Sequence, residues 1–293
     1  MTKITTAVFP VAGMGTRFLP VTKAGPKEML PIVDKPLIQY VVEEAVAAGI
    51  KKLVFVTSSG KRAIEDYFDR NFELEYLLEQ KGKLAILETV RNIIPSDVKI
   101  VYVRQPVARG LGDAVLCAKP AVGNEPFAVL LADDVMEYSD QACLSAMIKQ
   151  YQQTKSSVLA VENIKREDTD KYGIVSMMQN SQFENQIMSI IEKPKPENSP
   201  STLAVTGRYI LTPRIFELLE KTELGVGGEL QLTDGLAKLL SYEAITVCSI
   251  VGRRYDCGDR FGFLQATIDF ALKRPEFAAP LKAYLNFLQK NSQ

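Results

Sequence analysis

Behind a short apolar run, the stretch Val8 to Pro31 carries Gly13, Gly15, Arg17, Lys23 and Lys27. Two glycines in a turn let backbone amides approach a phosphate or a base with no Cβ in the way, and an arginine fork flanked by lysine charges suits phosphate oxygens. The chemistry this favours is the holding of a polyanion such as a triphosphate. Two familiar phosphate loops are excluded. G-x-x-x-x-G-K-[ST] is absent, and the dinucleotide fingerprint needs a third glycine where Phe18 stands. Taken alone, the same spacing also serves a plain strand-to-helix turn. Gly25, Pro26 and Pro31 preclude one continuous helix after Arg17, so Thr22 to Pro31 reads as a loop wrapping back over whatever the first loop holds.

Further along, Asp133 and Asp134 close the apolar run Phe127 to Leu131, and Asp256 lies in Tyr255-Asp256-Cys257-Gly258-Asp259 after the run Thr246 to Val251. Carboxylates at strand ends suit a hard cation. Magnesium takes one or two of them and completes its shell with substrate phosphate oxygens and water. Adjacent acids after a strand serve equally as a turn or a helix cap. Glu192-Lys193 stands before Pro194 at the end of the run Ile187 to Ile191, where a solvated pair is the plain reading. Gly227 to Asp234 reads either as a glycine turn opening an amphipathic helix or as part of a ligand site.

The composition removes whole classes of chemistry. The 293 residues contain no histidine, which excludes catalytic imidazoles, phosphohistidine intermediates and His-ligated metals. Thirty-five Lys plus Arg balance 35 Asp plus Glu, so no overall field marks a nucleic-acid or membrane partner. Cys117, Cys143, Cys248 and Cys257 are dispersed, with no C-x-x-C pair. Neither a signal-peptide core after Met1-Thr2-Lys3 nor a run of about 18 apolar residues is present. The expectation is a soluble chain of a reducing cytoplasm.

The elements that must position these residues follow from period and punctuation. Ile4 to Pro10, Lys52 to Thr57, Lys99 to Arg104 and Phe127 to Leu131 read as strands, and Leu37 to Gly49 and Leu111 to Lys119 as helices between them. Such alternation predicts a doubly wound α/β fold with a mixed, mainly parallel sheet covered on both faces. Lys61 to Ile94, interrupted at Lys81-Gly82-Lys83, reads as an inserted helical hairpin. Ser157 to Glu162, Gly173 to Met178, Ile187 to Ile191 and Ala204 to Leu211 form a second group of strands, expected to be a mixed sheet. The chain ends in helices over about Arg260 to Lys273 and Phe277 to Gln289, with a break at Pro275.

On these residues the sequence resembles the sugar-1-phosphate nucleotidylyltransferases, whose signature is G-x-G-T-R, then P-K-x-x-L-P, then K-P-[LM]-I. This chain reads Gly13-Met14-Gly15-Thr16-Arg17, Pro26-Lys27-Glu28-Met29-Leu30-Pro31 and Lys35-Pro36-Leu37-Ile38. Its wording is most similar to the bacterial UTP:glucose-1-phosphate uridylyltransferase branch. Arg104-Gln105-Pro106, Gly110 to Val115, Glu192-Lys193-Pro194 and Gly228 to Asp234 match in order, so the resemblance spans nearly the whole chain.

The resemblance implies a Rossmann-like nucleotidyltransferase fold with a woven-in sugar-binding subdomain, and Mg2+-dependent transfer of UMP from UTP to α-D-glucose 1-phosphate, giving UDP-glucose and pyrophosphate. It implies catalytic roles for Arg17, Lys27 and Lys193, nucleotide contacts at Ala12, Gly13, Gly15, Thr16, Glu28, Gln105 and Gly110, sugar contacts at Gly173, Glu192 and Lys193, and metal binding at Asp133 and Asp256. Many relatives carry histidine where Asp113 stands, so that position is not an obligate proton carrier. The domain division it implies is a catalytic unit over 1–260, with a nucleotide part over about 1–135, the insertion at about 61–97 and a sugar part over about 155–240, followed by a helical segment at 261–293. Relatives form dimers or tetramers, and Leu281, Tyr284, Leu285 and Leu288 make a stripe that either an interface or internal packing explains.

Overall fold

Along β1 (Thr6–Pro10) successive side chains leave on opposite faces, and both faces are buried: Ala7 and Phe9 enter one hydrophobic cluster and Val8 enters another. This chain is described by a computed structural model covering residues 3–291 apart from 139–141, 180 and 182. The hairpin β2 (Pro31–Ile32) and β3 (Lys35–Pro36) leads into α1 (Leu37–Ala47). β4 (Lys52–Thr57) repeats the pattern of β1, with Leu53 and Phe55 on one face and Val54 and Val56 on the other. A strand covered on both sides needs such a continuous apolar run.

The insertion is three helices, α2 (Arg62–Phe68), α3 (Phe72–Gln80) and α4 (Leu84–Arg91), so the expected hairpin is α3 and α4, joined through Gly82 at φ 65. β5 (Lys99–Arg104), α5 (Leu111–Cys117), α6 (Lys119–Val122) and β6 (Phe127–Leu130) complete the first half. In it β1 pairs in parallel with both β4 and β6, and β4 with β5. All four strands therefore end on the same edge, where open α/β sheets hold ligands.

After β7 (Asp134–Glu137) and α7 (Cys143–Thr154), the second half adds β8 (Ser157–Asn163), β9 (Gly173–Met177), β10 (Ile187–Glu192) and β11 (Leu203–Leu211). β11 joins the two halves, running antiparallel to β6, β8 and β9, and the sheet runs β10-β9-β11-β6-β1-β4-β5. α8 (Arg214–Glu220), α9 (Leu232–Leu239) and β12 (Ile245–Ser249) follow, β12 lying parallel to β8.

Two expectations shift in detail. The late strand stops at Ser249, and a separate strand, β13 (Arg253–Asp256), pairs antiparallel with β7. Its residues, two arginines, a tyrosine and an aspartate, carry no alternating apolar pattern, so periodicity does not reveal it. The expected break between the last two helices is present, α10 (Arg260–Leu272) ending before Pro275, but Pro275 itself opens α11 (Pro275–Asn291), two residues ahead of the expected start at Phe277, as suits a residue that fits the first helical turn. α10 covers a third cluster containing Ile32, Leu37, Val135, Tyr255 and Cys257. Among the described residues no helix is long and apolar enough to cross a membrane.

Candidate active site

The first loop is shaped by Gly15, whose φ of 66 is a left-handed conformation that L side chains rarely adopt. A Cβ there would lie 3.3 Å from both Lys27 Cβ and Thr22 Cγ2, so the second lysine segment packs directly on the loop. Thr22 Oγ1 donates to the Gly15 carbonyl at 2.8 Å, closing the wrap-around that Gly25 and the prolines predicted. The loop is anchored from the far end of the chain. Arg260 Nε donates to the Arg17 carbonyl at 2.6 Å, and Arg17 Nη1 to the Gly258 carbonyl at 3.4 Å.

Lys27 forms an ion pair with Asp133. Burial works against the Lys27 ammonium, but the charges of Asp133 and Glu28 outweigh it and raise its pKa. Burial likewise works against the Asp133 carboxylate, and the charge and hydrogen bond of Lys27 outweigh it, so the carboxyl stays below its ordinary value. Glu28, 1% exposed, is paired at 2.7 Å with Lys61, itself 5% exposed. Burial pushes the Glu28 carboxyl up in spite of Lys61 and Lys27. Lys61 carries no motif and lies 33 residues away, so nothing in the sequence marks it as the partner of Glu28.

Asp133 sits in the turn between β6 and β7, not on a strand, and Asp134 opens β7. The β7-β13 ladder sets Asp256 opposite Asp134. The two candidate metal carboxylates thereby face one another across Gly258. A Cβ on that glycine would be 2.9 Å from Asp133 Oδ2, 3.1 Å from Asp256 Oδ1 and 3.5 Å from Arg17 Nη1. Two carboxylates converging on a strip without a side chain fit a hard divalent cation that completes its shell with phosphate oxygens and water. No group of three or more His, Cys, Asp or Glu that could enclose a metal occurs among the described residues.

Asp134 is a different kind of acid. Its carboxylate pairs with Arg254, which also reaches Glu162 at 2.8 Å and the Tyr172 hydroxyl at 3.2 Å. Burial pushes the Asp134 carboxyl up against the pull of Arg254, and Asp133 and Asp256 add to the rise. The Tyr172 hydroxyl in turn donates to Asp256 Oδ2 at 3.0 Å. The backbone beneath Asp133 is held by Arg208, fully buried, whose guanidinium donates to the carbonyls of Leu131 and Asp134 and pairs with Glu44 at 2.8 Å.

Glu192 and Lys193 leave β10 beside β9. Lys193 adopts φ 44, a strained conformation for a residue with a Cβ, and its backbone N–H donates to the Tyr172 carbonyl at 3.0 Å. Its Nζ lies 3.2 Å from Glu192 Oε1, while Glu192 Oε2 accepts from Thr233 Oγ1 at 2.6 Å. A Cβ on Gly173 would sit 3.3 Å from Thr233 Oγ1 and 3.4 Å from Glu192 Oε2. The Gly228-to-Asp234 segment, ambiguous in sequence, thus contributes Thr233 directly. A cavity of about 270 Å³ is lined by Arg17, Asp133, Asp256, Gly173, Glu192, Lys193 and Thr233 among others.

Gln105, Ala12 and Gly110 form the neighbouring edge. The Gln105 N–H donates to the Thr57 carbonyl at 2.9 Å, and Ser58 Oγ donates to the Ala12 carbonyl at 3.3 Å, so the exit of β4 links the loops after β1 and β5. The Gln105 amide donates to the Gly110 carbonyl at 3.2 Å and to Asp113 Oδ2 at 2.7 Å.

The chain is similar to known proteins over nearly its full length. The nucleotidyl transferase family model matches residues 7–271. A Staphylococcus epidermidis protein named UTP–glucose-1-phosphate uridylyltransferase is 48% identical over 291 residues, covering 98% of this chain and 99% of that one. The solved structure of a UTP-bound UGPase from Acinetobacter baumannii is 43% identical, with a TM-score of 0.88 over 96% of this chain and 98% of that one. A UDP-glucose pyrophosphorylase complexed with UDP-glucose is 44% identical, with a TM-score of 0.84 over 92% of this chain and all of that one (100%).

Proposed function

The chain belongs to the nucleotidyl transferase family, and on that premise we propose that it transfers UMP from UTP to α-D-glucose 1-phosphate, forming UDP-glucose and pyrophosphate. The observation that carries this reading is one cavity lined both by the cation Arg17 with the carboxylates Asp133 and Asp256 and by Gly173, Glu192 and Lys193. A phosphate oxygen of the sugar phosphate attacks the α-phosphorus of UTP. The new P–O bond forms as the bond to the bridging α,β-oxygen breaks, and that electron pair leaves with pyrophosphate. The attacking oxygen is already anionic, so no general base is required and a chain without histidine suffers no handicap. What remains for the protein is alignment and charge neutralisation.

Arg17 and Lys27 neutralise the β- and γ-phosphates as they leave. Ala12, Gly13, Gly15 and Thr16 present backbone to the nucleotide, Glu28 beside Lys27 belongs to the same nucleotide contacts, and Gln105 with Gly110 reads the pyrimidine edge. Lys193 holds the attacking phosphate, and Glu192 accepts hydrogen bonds from sugar hydroxyls that come close over Gly173. A divalent cation, which this family typically uses and which we take to be magnesium, would be held by Asp133 and Asp256 and would supply charge stabilisation on the phosphates. In substrate binding, Lys27 exchanges part of its contact with Asp133 for phosphate oxygens.

The division of labour follows the same reading: residues up to about 135 hold the nucleotide, about 155–240 hold the sugar, and 261–293 serve a homo-oligomeric contact. Tyr284 and Phe287 on α11 are 56% and 61% exposed, which supports a dimer or tetramer built on this helix. Four cysteines without a disulfide suit a reducing cytoplasm.

Pyrophosphate release with glucose 1-phosphate and magnesium, compared across UTP, dTTP, CTP, ATP and GTP, tests the proposal. Preference for UTP is the expected result. Preference for another nucleotide moves the chain to a sister activity on the same fold, and UDP-glucose binding without turnover refutes catalysis.

A further inference from the structure

A carboxamide offers an acceptor oxygen on one side and an NH2 donor on the other, and which of them faces a ligand decides what it can read. Gln105 is 4% exposed at the exit of β5, and both hydrogens of its amide are directed away from solvent. Nε2 donates to Asp113 Oδ2 at 2.7 Å and to the Gly110 carbonyl at 3.2 Å. Neither a carboxylate nor a backbone carbonyl has a proton to give. The reverse orientation would set Oε1 against two oxygens, so the partners themselves fix the amide one way round. Among the described residues no donor is paired with Oε1.

The two partners cannot drift. Gly110 has φ 96, and a Cβ on it or on Gly112 would lie 2.8 Å from the Leu230 carbonyl. The Gly112 N–H donates to that carbonyl at 2.8 Å, and the Leu230 N–H donates to the Arg109 carbonyl at 2.7 Å. The first turn of α5, which carries Asp113, is therefore clamped from the opposite half of the molecule.

We propose that Asp113 is a specificity-determining positioning residue. With the Gly110 carbonyl it takes the hydrogens of the Gln105 amide and turns Oε1 towards the nucleobase, so that the site accepts a pyrimidine bearing hydrogen at N3 and rejects one with a lone pair there. The inference rests on the uridylyltransferase reading with Gln105 at the base. Uracil offers N3–H to the amide oxygen. Cytosine places its N3 lone pair against that oxygen, an arrangement of two acceptors. Thymine shares N3–H with uracil, so Asp113 separates UTP from CTP and leaves UTP against dTTP to other contacts.

The test is kcat/KM for UTP, CTP and dTTP at fixed glucose 1-phosphate in the wild type, Asp113→Asn and Asp113→Ala. An asparagine can donate to Oε1 and so holds the amide either way round, and alanine leaves Gly110 as the one remaining partner. The UTP:CTP ratio is expected to fall about tenfold or more in both, since unpaired polar groups at a reading site are what make such discrimination large. The UTP:dTTP ratio and the KM for glucose 1-phosphate stay within about twofold, well below the change expected for CTP. A purely structural role would lower all three nucleotides in proportion, and that result, or an unchanged UTP:CTP ratio, overturns the proposal. A wild type that prefers UTP while the variants keep the preference refutes Asp113 alone. A wild type that uses UTP and CTP equally refutes the uridylyl reading and this inference together.

Discussion

Replacing Gly258 with alanine puts a methyl group at the point where the candidate metal carboxylates meet. The added carbon would lie 2.9 Å from Asp133 Oδ2 and 3.1 Å from Asp256 Oδ1, whereas carbon and oxygen sit comfortably at about 3.3 to 3.6 Å. Neither oxygen can retreat freely. Asp133 is engaged by Lys27, and Asp256 accepts from the Gly258 N–H and the Tyr172 hydroxyl at 3.0 Å each. A displacement of about half an ångström follows for at least one carboxylate. Misplacement by about 1 Å costs about a hundredfold in rate, so Gly258→Ala should lose about ten- to a hundredfold in kcat/KM. That corresponds to about 1.4 to 2.7 kcal/mol of lost transition-state stabilisation. The loss should come with a higher magnesium concentration for half-maximal turnover, because the displaced groups are the proposed ligands. Initial rates of pyrophosphate release across a magnesium titration read both effects, and a thermal melt within a few degrees of wild type shows that the fold is intact. A variant with kcat/KM within twofold of wild type and an unshifted magnesium titration would refute the placement of Asp133 and Asp256 as a converging pair.

Lys193→Ala should raise the KM for glucose 1-phosphate and lower turnover while leaving UTP binding close to wild type, which steady-state kinetics and UTP calorimetry separate; wild-type kinetics would remove Lys193 from the site. Arg208→Met leaves Glu44 charged and buried, and breaking a buried pair in this way costs about 3 to 5 kcal/mol, so the urea midpoint should fall accordingly. Thr233→Val removes the donor to Glu192 Oε2 and should raise the KM for glucose 1-phosphate more than that for UTP, by severalfold in initial-rate assays. Hydrogen bonds from Arg70 and Arg91 pull the Glu75 carboxyl down to about 2. A carboxyl depressed on folding adds stability above its ordinary value of 4.5 and loses it as pH falls towards 2, so the protection factors of amides in α3 and α4, corrected for the intrinsic pH dependence of exchange, should fall over that window, and Glu75→Gln should abolish that fall.

Much of the first half of the molecule was legible because its signals are local. β4 and β5 occupy the residues their apolar runs predicted, and Leu37 opens α1 where Pro36 ends the preceding strand. The loop from Gly13 to Arg17 and the lysine segment after it follow from backbone freedom and side-chain charge, properties that a residue carries wherever it stands. What escaped were contacts between distant, individually unremarkable residues. β7 and β13 are four residues each and rich in charge, so no periodicity announces the ladder that brings Asp256 to Asp133. Lys61 stands beside Arg62 in a polar stretch and Arg208 is a lone cation within an apolar strand, and neither announces a buried ion pair, because a charge in sequence is ordinarily a solvated one.

Residue chemistry was thus set by the sequence alone: which groups can neutralise phosphate, which can ligate a hard cation, and that no imidazole takes part. Tertiary structure decided how those groups are paired. It joined Lys27 to Asp133, gave Asp134 to Arg254, and left Asp256 facing Asp133 across Gly258. It also brought Thr233 to Glu192 and Asp113 to the Gln105 amide. The reason is physical. A side chain's donors, acceptors and charge are intrinsic, but the partner that satisfies each buried group is chosen by strand pairing and packing, over spans that run from 8 residues for Gln105 and Asp113 to 106 for Lys27 and Asp133.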